Sequence, residues 1–181
     1  MVYVFLADGF EEIEALATVD FLRRCDIEVV TAGVGSQDVT GAHDITVLAD
    51  TVDSMLVKSD DVEAIVLPGG MPGTLNLQKS QCVQEMLDFA VQQRIAIAAI
   101  CAAPSVLGQK GLLDGKKATC FPGFEQQLGK AEFTGASVEV DGNIITSKGA
   151  GCTIDFASAI ATKLIGESKP LHVKKSMQCQ I

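Results

Sequence analysis

The feature that most constrains the fold is a short apolar run, residues 95–100, that ends at Cys101. Six residues of Ile and Ala, followed by Ala102-Ala103-Pro104, are typical of a buried parallel strand that turns directly into a helix. Pro104 suits the first turn of that helix, where a backbone N–H has no partner within the helix. We therefore place Cys101 at the carboxyl end of a central strand, the edge at which open α/β sheets bind ligands.

The position of Cys101 also predicts its chemistry. A thiol at a helix N-terminus faces unpaired N–H groups and the positive end of the helix dipole, and both favour the thiolate. On this ground the pKa of Cys101 is expected to fall below the value of about 8.5 of a free thiol. The alternative is an inert cysteine that packs like a small hydrophobic residue.

Short apolar runs alternate with helical patterns along the rest of the chain. Strands are predicted at 2–7, 28–32, 64–67 and 95–100, short polar-edged strands at 40–50, a hairpin at 138–146 with its turn at Asp141-Gly142-Asn143, and helices at 11–25, 82–93, 105–110 and 153–165. This alternation indicates a parallel sheet sandwiched between helices, in a single domain over 1–181. The tail 169–181 is predicted to be a solvated helix or a frayed end.

Composition excludes several classes of protein. The 181 residues are 48% hydrophobic and carry a net charge of −9, which suits one compact core and disfavours binding to a nucleic-acid backbone. Six cysteines without a CxxC pair and only two histidines predict neither a zinc site nor a disulfide scaffold, but free thiols in a reducing compartment. The apolar start of the chain is too short to span a membrane and lacks the features of a signal peptide, so a cytoplasmic location is expected.

Glu14 is the strongest candidate for a catalytic carboxyl. Ala17 and Phe21 follow it at i+3 and i+7, so its helix face is apolar and Glu14 is expected to be at least partly buried. Burial raises the pKa of a carboxyl, and a protonated Glu14 can donate a hydrogen bond to Cys101 or carry a proton in catalysis. Glu11 and Glu12 are explained by the helix dipole alone.

Glycines follow the strand at 64–67. Gly69 and Gly70 permit a close backbone approach, and their N–H groups together with that of Ala102 are candidates for an oxyanion hole. A double glycine by itself is weak support, because any tight turn uses one.

Four segments carry a resemblance to the ThiJ/PfpI superfamily, in the branch of the parkinsonism-associated protein deglycase and bacterial YajL. In chain order they are Gly9-Phe10-Glu11-Glu12-Ile13-Glu14, Val66-Leu67-Pro68-Gly69-Gly70, Ala98-Ala99-Ile100-Cys101-Ala102-Ala103-Pro104 and Thr146-Ser147-Lys148-Gly149-Ala150-Gly151. The resemblance covers nearly the whole chain. It implies a flavodoxin-like α/β sandwich and a homodimer. It also implies a nucleophilic, easily oxidised Cys101, a protonated Glu14 beside its sulfur, and a backbone lining of Gly69, Gly70 and Ala102.

The chain departs from the family pattern near the cysteine. Many members place a histidine where this chain has Phe121, which we interpret as a pocket wall, so a Cys–His dyad is not expected. Protease-like members carry histidine where this chain has Ala102, and glutamine amidotransferases need a later His-x-Glu that is absent. We interpret Cys120 as a packing residue, and His43, where the family often has arginine, as a surface residue.

Two functions remain open. The first is an enzyme, without cofactor or metal, in which Cys101 attacks small aldehydes or glycated substrates, a glyoxalase III-type or deglycase activity that protects against carbonyl or oxidative stress. The second is a redox sensor or chaperone whose cysteine is oxidised to sulfinic acid, with little turnover. Both require Cys101 and Glu14, so the sequence does not rank them firmly.

Overall fold

The computed structural model describes residues 1–179, whose strands and helices alternate as the sequence predicts. The strands are β1 (Val2–Leu6), β2 (Val29–Gly33), β3 (Asp38–Thr40), β4 (Thr46–Leu48), β5 (Thr51–Val52), β6 (Ala64–Leu67), β7 (Ala96–Ile100), β8 (Lys117–Ala118), β9 (Glu132–Phe133), β10 (Val138–Asp141) and β11 (Ile144–Ser147). The helices are α1 (Glu12–Arg24), α2 (Gly73–Lys79), α3 (Gln81–Gln93), α4 (Pro104–Gln109), α5 (Thr153–Ile165) and α6 (Ser168–Ser176).

Seven strands form the central sheet in the order β10-β11-β7-β6-β1-β2-β5. All neighbours in this sheet are parallel except β10 and β11, which form the predicted antiparallel hairpin. Strands β1, β6 and β7 are buried at every residue, which explains why they read as continuous apolar runs rather than as alternating patterns. The short polar-edged strands expected at 40–50 are found as the hairpin of β3 and β4, which forms a separate two-stranded sheet.

Helices cover both faces of the sheet. Alternate residues of β6 separate the two layers: Val66 packs in the core that contains Phe21 of α1 and Phe156 of α5, whereas Leu67 packs with Leu87 of α3 on the opposite face. The helical layers exclude water from both faces, as a parallel sheet requires. The predicted mostly parallel three-layer α/β sandwich of flavodoxin-like type is therefore confirmed.

The structure corrects the sequence interpretation at two helices and adds three two-residue strands, β5, β8 and β9, that the sequence did not predict. The helix α2 was not predicted, because the stretch Pro68-Gly69-Gly70-Met71-Pro72-Gly73 before it indicates only a turn. The tail forms α6, but Pro170 and Val173 are buried, so it is a packed helix rather than a solvated or frayed one. Residues 180–181, the last of the tail, lie outside the described residues. None of the described helices has the length and apolar character that a membrane span needs.

The topology brings four loops to one edge. Because β11, β7, β6 and β1 are adjacent and parallel, the segments that follow Ser147, Ile100, Leu67 and Leu6 meet at the carboxyl edge of the sheet. Cys101 lies in the middle of this edge, directly after β7.

Candidate active site

Cys101 occupies a sharp turn between β7 and α4. Its φ is +65°, a left-handed conformation that is uncommon for a residue other than glycine. Two backbone hydrogen bonds hold the turn: the Cys101 N–H donates to the Ser147 carbonyl at 2.9 Å, and the Phe121 N–H donates to the Cys101 carbonyl at 2.8 Å. Strained backbone of this kind concentrates at functional sites, and here it presents a half-buried thiol at the sheet edge.

Gly69 lies against both candidate catalytic side chains. A Cβ added to Gly69 would lie 2.6 Å from the Cβ of Cys101 and 2.6 Å from Oε2 of Glu14, so no other residue fits without displacing them. Gly70 has a φ of +94°, which also favours glycine. The two glycines are therefore required by close approach and by backbone conformation respectively.

Glu14 reaches the sheet edge from the first turn of α1. Glu11 begins the helix, and its side chain accepts a hydrogen bond from the Glu14 N–H at 2.6 Å. Glu14 is 1% exposed, which confirms the burial predicted from its apolar neighbours. Its Oε2 accepts a hydrogen bond from the Gly69 N–H at 2.8 Å. Its Oε1 is buried with no hydrogen-bond partner among residues 1–179, and the Cys101 thiol lies close enough to lower the pKa of this carboxyl.

Burial makes Glu14 hard to ionise. Desolvation, and to a smaller extent the charge of Glu11, raise the pKa of Glu14 against the opposing hydrogen bonds from Cys101 and Gly69, and the net result is a pKa of about 7. A buried carboxyl with one amide donor and one unpaired oxygen is the arrangement that favours a protonated group. Glu14 is thus poised to gain and lose a proton close to neutral pH.

The pKa of Cys101 differs from the sequence prediction. Burial, the charge of Glu14 and its hydrogen bond raise the pKa of the thiol to about 12, while the amides of Ala102 and Gly70 lower it. The predicted fall below 8.5 is wrong for a thiol beside an ionised Glu14, because the helix-terminus argument omits desolvation and the neighbouring carboxylate. The two side chains are coupled: above about pH 7 they carry one negative charge between them, on oxygen or on sulfur.

The backbone lining is divided between the two side chains. The amides of Ala102 and Gly70 hydrogen-bond to the Cys101 sulfur, as an oxyanion hole beside a nucleophile requires. The expected contribution of Gly69 to that hole is corrected, because its N–H is committed to Glu14. Gly69 therefore holds the carboxyl in place rather than facing the reacting atoms.

Phe121 and Cys120 lie beside this turn in different environments. Phe121 is tied to Cys101 through its N–H, and its ring lies 3.3 Å from the position of a Cβ on Gly149, so it stands at the edge of the site. Its side chain is 47% exposed. Cys120 is completely buried in the core with α3 and α4, and burial raises its pKa to about 11, which confirms the packing interpretation.

A second contact at the start of α1 was missed by sequence reasoning. Glu12 is 5% exposed and not a simple dipole partner: its Oε1 accepts the His43 N–H at 2.7 Å, and its Oε2 lies 2.7 Å from His43 Nδ1. His43 is exposed, as expected, but it anchors the turn between β3 and β4 onto α1. Gly41 permits this approach, because a Cβ there would collide with the Glu12 carboxyl.

Among residues 1–179, one group of side chains has the spacing of a metal site. Oxygens of Glu11 and Glu12 and a ring nitrogen of His43 lie within 4.8 Å of one another. The hydrogen bonds between Glu12 and His43 account for this arrangement without an ion, and the group does not include Cys101 or Glu14. The site at Cys101 consists of a thiol, a carboxyl and amides, a set that needs no metal to hold it together.

Comparison with known proteins agrees with this geometry. The model of the DJ-1/PfpI family matches residues 1–163. The chain is 38% identical over 177 residues to Protein dj-1beta of Drosophila melanogaster, covering 96% of this chain and 94% of that protein. It is 32% identical over 169 residues to the glutathione-independent glyoxalase DJR-1.2 of Caenorhabditis elegans, covering 92% and 89%.

Solved structures show the same likeness in three dimensions. The structure of oxidized DJ-1 of Toxoplasma gondii superposes with a TM-score of 0.93 at 33% identity, covering 99% of this chain and 98% of that one. The fold, the sheet-edge cysteine and the sequence matches agree, and the chain belongs to the DJ-1/PfpI family.

Proposed function

We propose that this chain is a cofactor-independent enzyme that uses Cys101 to convert small reactive carbonyls, with methylglyoxal as the simplest substrate and glycated side chains as a second class. The observation that carries the proposal is the buried carboxyl of Glu14, whose Oε1 has no hydrogen-bond partner among the described residues and whose pKa is influenced by the Cys101 thiol. Nucleophile and proton carrier are neighbours, since both side chains lie against Gly69. The glyoxalase relative in Caenorhabditis elegans supports the choice of substrate.

The first step is the attack of sulfur on the aldehyde. We place the single negative charge of the pair on Cys101 and the proton on Glu14 in the reacting form. Burial raises the pKa of both groups, but two amides, those of Ala102 and Gly70, stabilise charge on the sulfur, whereas the Gly69 amide alone donates to the carboxyl. The carbon–sulfur bond forms, the carbonyl electron pair moves to oxygen, and the Glu14 proton neutralises that oxygen to give a hemithioacetal. The same amides stabilise the charge while it develops.

Glu14 then acts as the base. It takes the proton from the former aldehyde carbon, while the proton of the hydroxyl on that carbon passes to the neighbouring carbonyl oxygen by way of an enediol. Glu14 then returns its proton to the neighbouring carbon, which leaves a lactoyl thioester on Cys101. Water hydrolyses the thioester and releases lactate with the thiolate restored. Methylglyoxal and water together have the composition of lactic acid, so no electrons are gained or lost and no redox cofactor is consumed.

The experiment measures lactate formed from methylglyoxal by the purified protein in the presence of a metal chelator. We expect turnover by the wild type and by Cys82→Ser, a half-buried cysteine that lies elsewhere and donates to the Asp53 carbonyl. Cys101→Ser is expected to be inactive, because serine at this position is not ionised. Lactate production by Cys101→Ser at the wild-type rate would overturn the proposal.

A second function is favoured by the same contact. A protonated Glu14 donates a hydrogen bond to an oxidised Cys101 as readily as to a thiolate, so the site also suits a redox sensor that stores sulfinic acid. The relative from Toxoplasma gondii was solved in an oxidized form, which supports this alternative and, with it, a protective or chaperone role. Mass spectrometry after peroxide treatment separates the two: stoichiometric addition of two oxygen atoms at Cys101, with negligible lactate formation by the untreated protein, would favour the sensor.

The proposal includes a homodimer in the cytoplasm. Four large apolar side chains are exposed where α1 adjoins the hairpin of β3 and β4: Ile13, Leu16, Ile45 and Leu48. Three other apolar residues of α1, Ala15, Val19 and Phe21, do not belong to this surface, because they pack into the chain's own core. An isologous contact between two copies buries the four exposed residues. The free thiols suit a reducing compartment, which supports the proposed cytoplasmic location. A sedimentation mass near that of one 19.0 kDa chain at micromolar concentration would contradict the dimer.

A further inference from the structure

A cavity of about 520 Å³ lies at the edge of the sheet opposite Cys101. It opens between the end of α3, the amino ends of β7 and β11, and the turn at Gly111. The five residues of β7 separate it from Cys101, a distance of roughly 16 Å at the rise of a β-strand. The cavity is therefore separate from the proposed active site and is not explained by it.

The floor and walls of this cavity are apolar. The lining includes five large apolar side chains: Val91, Ile95, Ile97, Leu112 and Ile144. Ile97 and Ile144 belong to the core beneath α3, so the floor is rigid, whereas Val91 is 47% exposed at the rim. The volume and the apolar lining fall within the range of small-molecule sites.

Two cationic residues, Arg94 and Lys116, stand at the rim of this apolar surface. Arg94 ends α3 in a left-handed conformation, with φ of +57°. Its carbonyl accepts a hydrogen bond from the Asn143 side chain, which fixes its backbone, and within residues 1–179 its guanidinium makes no ion pair. Lys116 makes a long ion-pair contact of 3.7 Å with Asp141.

The charge at this rim is opposite to that of the whole chain. The protein carries a net charge of −9, yet the cavity places two cations beside an apolar floor. A guanidinium without an ion pair recognises a carboxylate through two parallel hydrogen bonds, and it does so best where apolar surface excludes water from one side. The complementary molecule has an anionic head and an apolar body.

We propose that this cavity binds a small organic carboxylate, with the carboxylate on Arg94 and Lys116 and an aromatic or branched aliphatic body against Ile95, Ile97 and Ile144. The ligand class follows from the chemistry of the lining. Because the cavity lies away from Cys101, occupancy does not require the aldehyde chemistry, and the two proposals stand or fall separately.

The test uses phenylbutyrate and its neutral amide as probes, followed in amide NMR spectra of isotopically labelled full-length protein. Phenylbutyrate is expected to shift the signals of Arg94, Gly111 and Gly142 and not those around Cys101. Arg94→Gln is expected to weaken binding about fivefold, the upper range for an exposed charge pair. The matched control is Arg24→Gln, which removes the same charge from an arginine that pairs with Asp20 on α1, and it is expected to bind normally.

Three results would overturn the proposal. The first is that phenylbutyrate shifts only the amide signals of residues near Cys101, or shifts no amide signal at millimolar concentration. The second is equal binding of the acid and the amide with no effect of Arg94→Gln, which would reduce the cavity to a general apolar surface. The third is undiminished binding by Val91→Glu, a change at an exposed rim position that places a carboxylate one helical turn from Arg94. The dispersion of the amide NMR spectrum of Arg94→Gln without probe serves as the folding control and is expected to match that of the wild type.

Discussion

Two carboxylates at the start of α1 show how a covering segment decides what a buried acid does. Glu12 faces the hairpin of β3 and β4, and Glu14 faces the carboxyl edge of the sheet; they are 5% and 1% exposed. The hairpin supplies Glu12 with a backbone N–H and an imidazole, and these hydrogen bonds outweigh desolvation, so the pKa of Glu12 falls. The sheet edge supplies Glu14 with one N–H and a thiol, and desolvation raises its pKa to about 7.

The difference lies in the partners rather than in the helix. Both residues occupy the first turn of α1, where the dipole favours negative charge for each. Since that contribution is shared, the opposite pKa shifts come from the stronger desolvation of Glu14 and from the additional hydrogen bonds that His43 gives to Glu12. We expect Glu12 to remain ionised and to hold the hairpin of β3 and β4 against α1, and we expect Glu14 to carry a proton during catalysis.

Replacing each of these two carboxyls by an amide is expected to have its largest effect on turnover. Glu14→Gln keeps a hydrogen-bond donor and most of the shape beside Cys101 but cannot carry a proton, so the rate of lactate formation should fall about 100-fold or more. Alkylation of Cys101 should persist. Glu12→Gln is the matched control, with the same change two residues away, and it is expected to retain turnover within a few fold. Wild-type turnover by Glu14→Gln would assign proton transfer to water or to another residue.

The second effect is on the pH dependence of stability. The pKa of Glu14 is raised from 4.5 to about 7 by folding, so the folded state binds this proton more tightly and the free energy of unfolding should decline as pH rises through that interval. The decline attributable to Glu14 is about 3 kcal/mol at most. The pKa of Glu12 is lowered, so its contribution has the opposite sign and is lost as pH falls through that lowered pKa. Urea denaturation of the wild type, Glu14→Gln and Glu12→Gln between pH 4 and 8 measures both, and equal slopes in the two variants would contradict the comparison.

The third effect concerns which atom of the Glu14–Cys101 pair carries the charge. If the proton resides on Glu14, the rate of Cys101 alkylation by iodoacetamide should rise through about pH 7 and exceed that of Cys82 about tenfold at pH 8, because burial and nearby carboxylates raise the pKa of Cys82. If the proton resides on sulfur, Cys101 should stay unreactive until the pH approaches its raised value of about 12. Peptide mapping of the labelled sites distinguishes these outcomes, and the second would undermine our assignment of the thiolate.

A smaller effect is expected at Phe121. Its ring is about half exposed and offers no proton, so Phe121→Ala should cost about 1 kcal/mol of stability, roughly half of a full burial, and change turnover less than tenfold. Thermal unfolding and steady-state kinetics measure the two quantities. Loss of turnover comparable to that of Glu14→Gln would mean that Phe121 positions the substrate and is more than a wall.

The smallest effect is expected at His43. The hydrogen bond to Glu12 raises the pKa of His43, so the charged imidazole stabilises the fold below pH 6.5 and the contribution is lost as pH rises through the raised value. His43→Ala should therefore lower the melting temperature slightly at pH 6 and hardly at all at alkaline pH. His172→Ala, an exposed histidine on α6, is the control and should show no such trend. Turnover is expected to remain at the wild-type level in both variants.

Much of the site was predictable because its signals are local. An apolar run ended by Cys101 and Pro104 specifies a strand, a turn and a helix within ten residues, and the apolar neighbours Ala17 and Phe21 predicted the burial of Glu14. The order of strands and helices then places both residues at one sheet edge. Boundaries agree for the segments with the strongest patterns, such as β6 and α5.

The sequence by itself determined the layers of this protein, the strand that carries Cys101 and the helix that carries Glu14, because each depends on periodicity over a few neighbouring residues. Only the tertiary structure decided how the hydrogen bonds are shared: the Gly69 N–H goes to Glu14, the Gly70 and Ala102 amides go to sulfur, and His43 goes to Glu12. The same holds for the raised pKa of Cys101 and for the cavity beside Arg94. These features depend on desolvation and on contacts between residues tens of positions apart in the sequence. A pattern over a few neighbouring residues does not predict either.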